Sequence, residues 1–347
     1  ILGNSGEGKS YLMKLLLCNT RESGMDVICL DVESEYIYLT ENLGGCYIDL
    51  MEGKYLLNVL EPKRWEEESG AVLPRHISFL RDFFRSYKDF SSAEIDVLEI
   101  FLERLYGEFG ITDETNLSLL GHGDFPILSD LYRLAEQEVN SYEEKKSNIY
   151  TRETVRDLCL KLKSICVGAD SRFFNGHTNV TSDSFLCFGV KGIMDADVSI
   201  RNAMLFNVLS YMSDALLTKG HTAAFIDEVH AYLSNIVAVE YIRNAMKRVR
   251  KRESAVILAS QNLDDFVQPS VKELTKPLFT IPTHQFLFHP GRMSKSEYME
   301  MLHLEESLFE LIRNPANGSC VFRHGAEVYH LIVKAEKHKE KMFTKKE

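Results

Sequence analysis

Gly3-Asn4-Ser5-Gly6-Glu7-Gly8-Lys9-Ser10 fits the spacing G-x-x-x-x-G-K-[ST] and runs into Tyr11 and a stretch of helical apolar spacing up to Leu17. Each residue type in that pattern has a physical use. Glycines let consecutive backbone N–H groups curl round an anion, Lys9 reaches the outer phosphates, Ser10 offers a hydroxyl to Mg2+, and the following helix points its positive end at the same spot. A loop of this kind turns a strand into a helix. It therefore predicts an α/β chain in which Gly3, Asn4, Ser5, Gly6, Glu7, Gly8, Lys9, Ser10 and Tyr11 bind the phosphates of a nucleoside triphosphate. The plainer alternative is a glycine-rich turn capping an ordinary helix, which the strand-loop-helix context disfavours. Only Ile1 and Leu2 precede the loop, so most of its lead-in strand is expected upstream of this sequence.

The rest of the pattern agrees with an α/β reading. Apolar runs at 27–30 and 46–50 read as strands, the first ending in Asp31-Val32-Glu33-Ser34-Glu35-Tyr36. From about 75 to 165 the grammar changes: 77–87, 93–109, 128–139 and 152–165 carry helical spacing with no strand runs between them. Strand-like runs return at 185–190, 222–226 and 255–260, with an amphipathic helix at 199–217 and a terminal hairpin at 319–323 and 328–333 turning near His324-Gly325. These shifts predict an ATPase core over 1–74 and 166–333, an inserted all-helical subdomain over 75–165, and a charged, solvated tail over 334–347.

Composition limits what such a chain can do. Its 347 residues suffice for about two compact units, and 45% hydrophobic with 26% charged residues exclude general disorder. The net charge of −11 argues against a surface that is a nucleic-acid clamp throughout. Seven cysteines, with no C-x-x-C pair and with Cys29, Cys187 and Cys320 inside apolar runs, predict reduced core thiols in a reducing compartment. No apolar run approaches the ~18 residues of a membrane helix, and no signal peptide opens the sequence, so membrane association is expected only through a partner or a missing part. His221 and His230 lack Cys or carboxylate partners at ligand spacing.

The strand at 222–226 ends in Asp227-Glu228, a fit for a metal-holding acid followed by an acid that polarises the attacking water. The run at 255–260 ends in Gln261, whose amide would reach the γ-phosphate or that water, or would simply start a loop. Between them, Arg243, Lys247, Arg248, Arg250, Lys251 and Arg252 form a basic helical stretch. A solvated face accounts for most of it, with one arginine left as a candidate to complete a neighbouring subunit's site.

In this order over nearly the whole chain, GNSGEGKS, DVESEY (31–36), NVL (58–60), RFFNGHTNV (172–180), AFIDEVH (224–230), RKRESAVILASQN (250–262) and GSCVFRHG (318–325) resemble the cytoplasmic ATPases of type IV secretion and conjugation. These are the TraC/TraE/TrsE-like, VirB-class motors of the HerA/FtsK clan. The resemblance implies a RecA-like core, the motor domain of an ATPase that powers transfer of DNA or a DNA-protein complex. It assigns Lys9 and Ser10 to phosphate and Mg2+, Asp227 to the metal, Glu228 to water, Gln261 to the γ-phosphate, Glu35 to the acid after the second strand, and Arg250 to the arginine finger. Val32 stands where the family often has Pro, and Ser260 where it often has Thr. The resemblance also implies ATP and Mg2+ as ligands, a homo-hexamer for the full-length protein with the isolated domain left monomeric, and channel proteins as partners. It places the protein on the cytoplasmic side of the membrane, with non-specific DNA contact an open reading. Glu33 and Tyr36 set the chain apart from coupling proteins, which typically carry Lys at the first of these positions; a coupling-protein or DNA-translocase role and a nucleotide-bound channel scaffold stand as alternatives. The DExH-like Asp227-Glu228-Val229-His230 is not followed by an arginine motif of the helicase kind.

Overall fold

The computed structural model describes residues 1–344 except Ser5, 64–71, 144–148, 181–183, Ser234, Asn262, Val267, 269–270, Arg292 and 314–316. Ser5 of the predicted loop and Asn262 at the end of its motif thus lie outside the described residues. Two compact units divide the chain: Ile1–Tyr47, Asp183–Lys191 and Ala215–Glu347 form the first, and Ile48–Ser182 with Gly192–Asp214 the second. In chain order the helices are α1 (Lys9–Glu22), α2 (Ile37–Asn42), α3 (Val72–Tyr87), α4 (Ser92–Glu108), α5 (Leu128–Ser141), α6 (Arg152–Cys166), α7 (Ser171–Phe174), α8 (Lys191–Met194), α9 (Val198–Asp214), α10 (Ile236–Arg248), α11 (Lys272–Thr280), α12 (Lys295–Leu302), α13 (Glu306–Arg313) and α14 (Lys337–Glu340).

The first unit carries a five-stranded sheet in the order β2-β3-β1-β4-β5, built from β1 (Asp26–Asp31), β2 (Cys46–Asp49), β3 (Phe185–Gly189), β4 (Thr222–Ile226) and β5 (Ala255–Leu258). β1 runs parallel to β3 and β4, and β4 parallel to β5. The sequence dictates this, since the near-continuous apolar runs of β3 and β4 are buried along their whole length, as strands covered on both faces must be. α1 covers one face, placing Met13 and Leu17 against Val27, Cys29, Cys187 and Phe225. The mainly parallel α/β, RecA-like architecture expected from the sequence is the one observed.

A second sheet, antiparallel in the order β6-β7-β8, comprises β6 (His284–Leu287), β7 (Ser319–His324) and β8 (Glu327–Ile332). The β7–β8 hairpin was legible from sequence; β6 was not, because four residues, graded from exposed His284 to buried Leu287 and flanked by Pro282 and Pro290, are too short to show alternation. Leu2 joins the two sheets, bridging in parallel to Ser260 after β5 and to Leu287 of β6. Its N–H donates to the Phe286 carbonyl (2.9 Å) and its carbonyl accepts from Phe288 N–H (2.8 Å). The phosphate loop therefore leaves the sheet between β5 and β6, at the carboxyl ends of β1, β4 and β5.

The charged tail is anchored rather than freely solvated. Lys339 Nζ reaches Glu22 Oε2 (2.6 Å) on α1, Asn42 Nδ2 donates to the Met342 carbonyl (2.9 Å), and Phe343 meets the Tyr11 ring edge-on at 5.4 Å. Met342 and Phe343 are the apolar residues within this charged segment that make docking favourable.

The second unit is helical. α5 packs on α6, α4 on both, and α3 on α9. A capping box starts α4, with Glu94 N–H on Ser91 Oγ (3.2 Å) and Ser91 N–H on Glu94 Oε2 (2.6 Å). Asn58 of NVL is fully buried: its Nδ2 donates to the Pro126 carbonyl (2.9 Å) and its N–H to Thr178 Oγ1 (3.0 Å). Leu56 N–H in turn donates to Asn179 Oδ1 (2.7 Å). Two motifs more than a hundred residues apart thus pin each other in this unit.

Candidate nucleotide-binding site

Two glycines of the loop sit where no side chain fits. Gly3 (φ +151°) would bring a Cβ within 2.4 Å of Phe288 Cβ. Gly8 (φ +107°) caps α1 in a left-handed conformation, and a Cβ there would come within 3.3 Å of Gly318 Cα. α1 then begins with Lys9 and carries no acid in its first turn, so its exposed N–H groups and positive end face the loop uncompensated. Lys9 is only 5% exposed, and its Nζ donates to the Asn4 carbonyl (3.3 Å). Burial pushes its pKa down, while the carboxylates of Glu228, Asp227, Glu35 and Glu7 oppose that shift and favour the cation.

Three buried acids, Asp31, Asp227 and Glu228, stand at the ends of β1 and β4. Asp31, at the end of β1, accepts the N–H groups of Glu35 (3.1 Å) and Tyr36 (3.0 Å), which folds the 31–36 segment back over the strand end. Tyr36 is fully buried and donates its hydroxyl to Asp227 Oδ2 at 2.8 Å. Asp227 Oδ1 accepts the N–H of Glu228 at 2.9 Å. Burial raises the Asp227 carboxyl to about 6, the Tyr36 bond pulling against that shift and the Glu228 charge adding to it. Glu228 is buried and left-handed (φ 47°), a conformation uncommon for a residue with a side chain. Its Oε2 lies 3.1 Å from His230 Nδ1, which is 3.3 Å from Ser260 Oγ.

A cleft of about 830 Å³ opens beside Lys9 and Glu228. Gly6, Gly8, Lys9, Ser10 and Tyr11 line it together with Glu33, Glu35, Glu228 and Gln261. Glu35 Oε2 sits 3.8 Å from Lys14 Nζ. Tyr11 turns its hydroxyl to Glu340 Oε1 (2.7 Å) and accepts the Ala335 N–H (2.8 Å). Arg250 is exposed in the short helix Val249–Arg252 and borders a separate, mainly apolar cleft of about 940 Å³ beside β5 and β6, whose lining includes none of residues 3–10. Tyr36 and His230 are the site neighbours that sequence reasoning had not given a role; their signals were the tyrosine closing DVESEY and the histidine two residues after Glu228.

The Ser10 hydroxyl and the Asp227 carboxylate are hard oxygen donors, and such donors suit Mg2+, which keeps waters and binds through one or two carboxylates plus phosphate. Among the described residues no three His, Cys, Asp or Glu side chains form a metal cage of their own. Among the described residues, too, no helix is long and apolar enough to cross a membrane.

The family model described as the central domain of helicase HerA matches residues 1–163. The structure of VirB4 from Thermoanaerobacter pseudethanolicus superposes with a TM-score of 0.82 at 29% identity, over 98% of this chain and 89% of that one. The bacterial conjugative coupling protein TrwB shares the fold at 14% identity (TM-score 0.54, 97% of this chain and 84% of that one). TrwB bound to a non-hydrolysable ATP analogue does so at 12% identity (TM-score 0.53, 97% and 84%). No curated protein matches the sequence. The resemblance to VirB-class ATPases carried by the order of the motifs is thereby borne out: the chain has the RecA-like P-loop fold of VirB4 and TrwB.

Proposed function

We propose that this chain is an ATP-hydrolysing motor domain that powers conjugative DNA transfer or type IV secretion. The observation that carries the proposal is the convergence of a buried Lys9 in a phosphate loop with the acid pair Asp227-Glu228 at the carboxyl end of the sheet. The loop N–H groups and Lys9 bind the phosphates. Ser10 and Asp227 are the residues that would hold Mg2+, which neutralises phosphate charge when bound. Glu228, whose carboxylate lies beside His230, accepts the proton of the attacking water, and Gln261 and Glu35 complete the polar wall around it. Arg250 acts on a neighbouring subunit, in keeping with its exposure and its place outside its own chain's cleft. The working form is a homo-hexamer on the cytoplasmic face of the membrane, held there by channel proteins.

Phosphate release from ATP, measured with and without single- and double-stranded DNA and with channel proteins, tests this reading. Turnover stimulated by DNA favours a translocase that grips its cargo; stimulation by channel proteins alone favours an assembly motor. Failure to bind or hydrolyse ATP in every case overturns it.

A further inference from the structure

Glu228 is held firmly by its backbone and loosely at its carboxylate. Its N–H donates to Asp227 Oδ1 (2.9 Å), its carbonyl accepts from Ala231 N–H (2.8 Å), and Val229 N–H donates to the Ala259 carbonyl just past β5 (2.9 Å). These bonds keep the residue left-handed (φ 47°), a strained setting that persists only where the surroundings over-determine it. The side chain reaches the wall of the cleft, but among the described residues no donor makes an aligned hydrogen bond to its buried Oε2. Beside that oxygen stands His230 Nδ1, at 3.1 Å. A base ready to take a proton is ionised and only accepts hydrogen bonds, so an Nδ1 without hydrogen would set its lone pair against the carboxylate. Nδ1 therefore carries the hydrogen. Ser260 Oγ, 3.3 Å from the same nitrogen, is its second acceptor. Ser260 is itself a fixed post at the start of the phosphate loop: its N–H donates to the Ile1 carbonyl (3.1 Å), and its carbonyl accepts from Gly3 N–H (3.3 Å). His230 does not line the cleft, so the ring stands behind the carboxylate rather than against a ligand.

We propose that His230 is a positioning residue for hydrolysis: its Nδ1–H, steadied by Ser260, directs the Glu228 carboxylate toward the attacking water. The inference rests on the reading of Glu228 as the base and adds what aims it. In the step itself the water oxygen bonds to the γ-phosphorus, the bond from that phosphorus to the ADP oxygen breaks, and the water proton passes to Glu228. A carboxylate free to swing takes that proton from fewer of its rotamers. Loss of the ring therefore costs rate, while the phosphate contacts made by the loop and Lys9 are untouched.

Phosphate release and calorimetric ATP affinity of the whole chain test this, with thermal melts to confirm that each variant folds. His230→Ala should lower kcat about ten- to hundredfold, with KM and ATP affinity within about twofold of wild type. The amide nitrogen of Asn is bonded to Cγ as Nδ1 is, whereas that of Gln lies one atom further out, near the place of Nε2. His230→Asn should therefore recover kcat to within about threefold of wild type, and His230→Gln should stay as slow as His230→Ala. Wild-type kcat in His230→Ala overturns the inference. So does a loss of kcat matched by an equal loss of ATP affinity, or a folded His230→Asn protein no faster than His230→Gln. In each of these cases an inactive Glu228→Gln protein leaves the base assignment standing; an active one overturns that assignment itself.

Discussion

The hydroxyl of Tyr36 donates to Asp227 Oδ2 at 2.8 Å, across 191 residues of sequence and inside a buried site. Asp31, which accepts the Tyr36 N–H at 3.0 Å, sets the segment from which that ring reaches over. Two acidic motifs that read separately in the sequence are one hydrogen-bonded unit, in which Tyr36 aims the carboxylate assigned to the metal. Tyr36→Phe keeps the ring's volume and removes the donor. A buried carboxylate that loses a hydrogen bond forfeits about 1.5–3 kcal/mol, so the Mg2+ concentration needed for half-maximal nucleotide binding should rise by roughly tenfold or more, with Mg2+-free binding unchanged. A fluorescent-nucleotide titration over Mg2+ reads this directly; an unmoved Mg2+ requirement would leave Tyr36 as packing alone.

Lys9 and Glu228 should fail in different ways. Lys9→Ala removes the cation that meets the phosphates and should lower ATP affinity. Glu228→Gln keeps the shape but cannot take a proton from water, and should bind ATP normally with turnover reduced by ~10² or more. Calorimetric affinity and phosphate release on both variants check the separation, and an active Glu228→Gln protein would remove Glu228 from its role.

Asp227 gives the site a pH dependence of known sign. Its folded pKa, about 6, lies above the ordinary carboxylate value because burial penalises the charge. The folded state therefore holds this proton more tightly than the unfolded chain does. As pH rises from about 4 to 6 the group destabilises the ligand-free fold, by about 3 kcal/mol once fully ionised. Asp227→Asn should accordingly raise the melting temperature at pH 8 and change it little at pH 4. Mg2+-dependent nucleotide binding, which needs the ionised form, should weaken in wild type as pH falls through 6. Thermal melts and titrations at pH 5 and 8 test both halves; an Asn variant no more stable at pH 8 contradicts the first.

The loop and the acid pair were legible because each needs a local pattern: glycines at fixed offsets for backbone curvature, and acids directly after a buried strand. What stayed hidden depends on contacts between distant residues. Nothing local marks Tyr36 as the partner of Asp227 before β1 and β4 are known to lie side by side. β6 was invisible for a different reason, its four residues owing their strand conformation to pairing with Leu2 and β7 rather than to alternation of their own. The tail read as solvated because Lys and Glu dominate its composition, while its docking rests on Met342 and Phe343.

Asn58 shows that a motif shared with a motor family can serve architecture. Its amide is buried among the Pro126 carbonyl and the backbone of its own turn. Asn58→Ala leaves that carbonyl without its donor, at a cost of about 1–3 kcal/mol. Denaturant unfolding should show this loss while calorimetric ATP affinity stays within twofold, since every residue of the nucleotide cleft belongs to the other unit. A large loss of affinity in the folded variant would tie the motif to the site.

Arg250 decides whether the sites are shared between subunits. It is exposed, it follows the basic end of α10, and it stands apart from the cleft formed by its own loop. A guanidinium supplied to a neighbour would spread positive charge over the transferring phosphoryl group, a contribution that reaches ~10³ to 10⁵ in turnover where such fingers operate. Arg250→Ala should therefore bind ATP as wild type does and hydrolyse it slowly. Lys9→Ala has the opposite defect, a weakened pocket with an intact Arg250. Mixed under conditions where subunits assemble, the two proteins should recover part of the lost activity, because a sound pocket on one subunit then meets an intact arginine on the next. Phosphate release from the mixture, compared with each protein alone, is the measurement. If assembled mixtures release no more phosphate than the separate variants, Arg250 does not act across subunits, and the basic stretch is a solvated helix face.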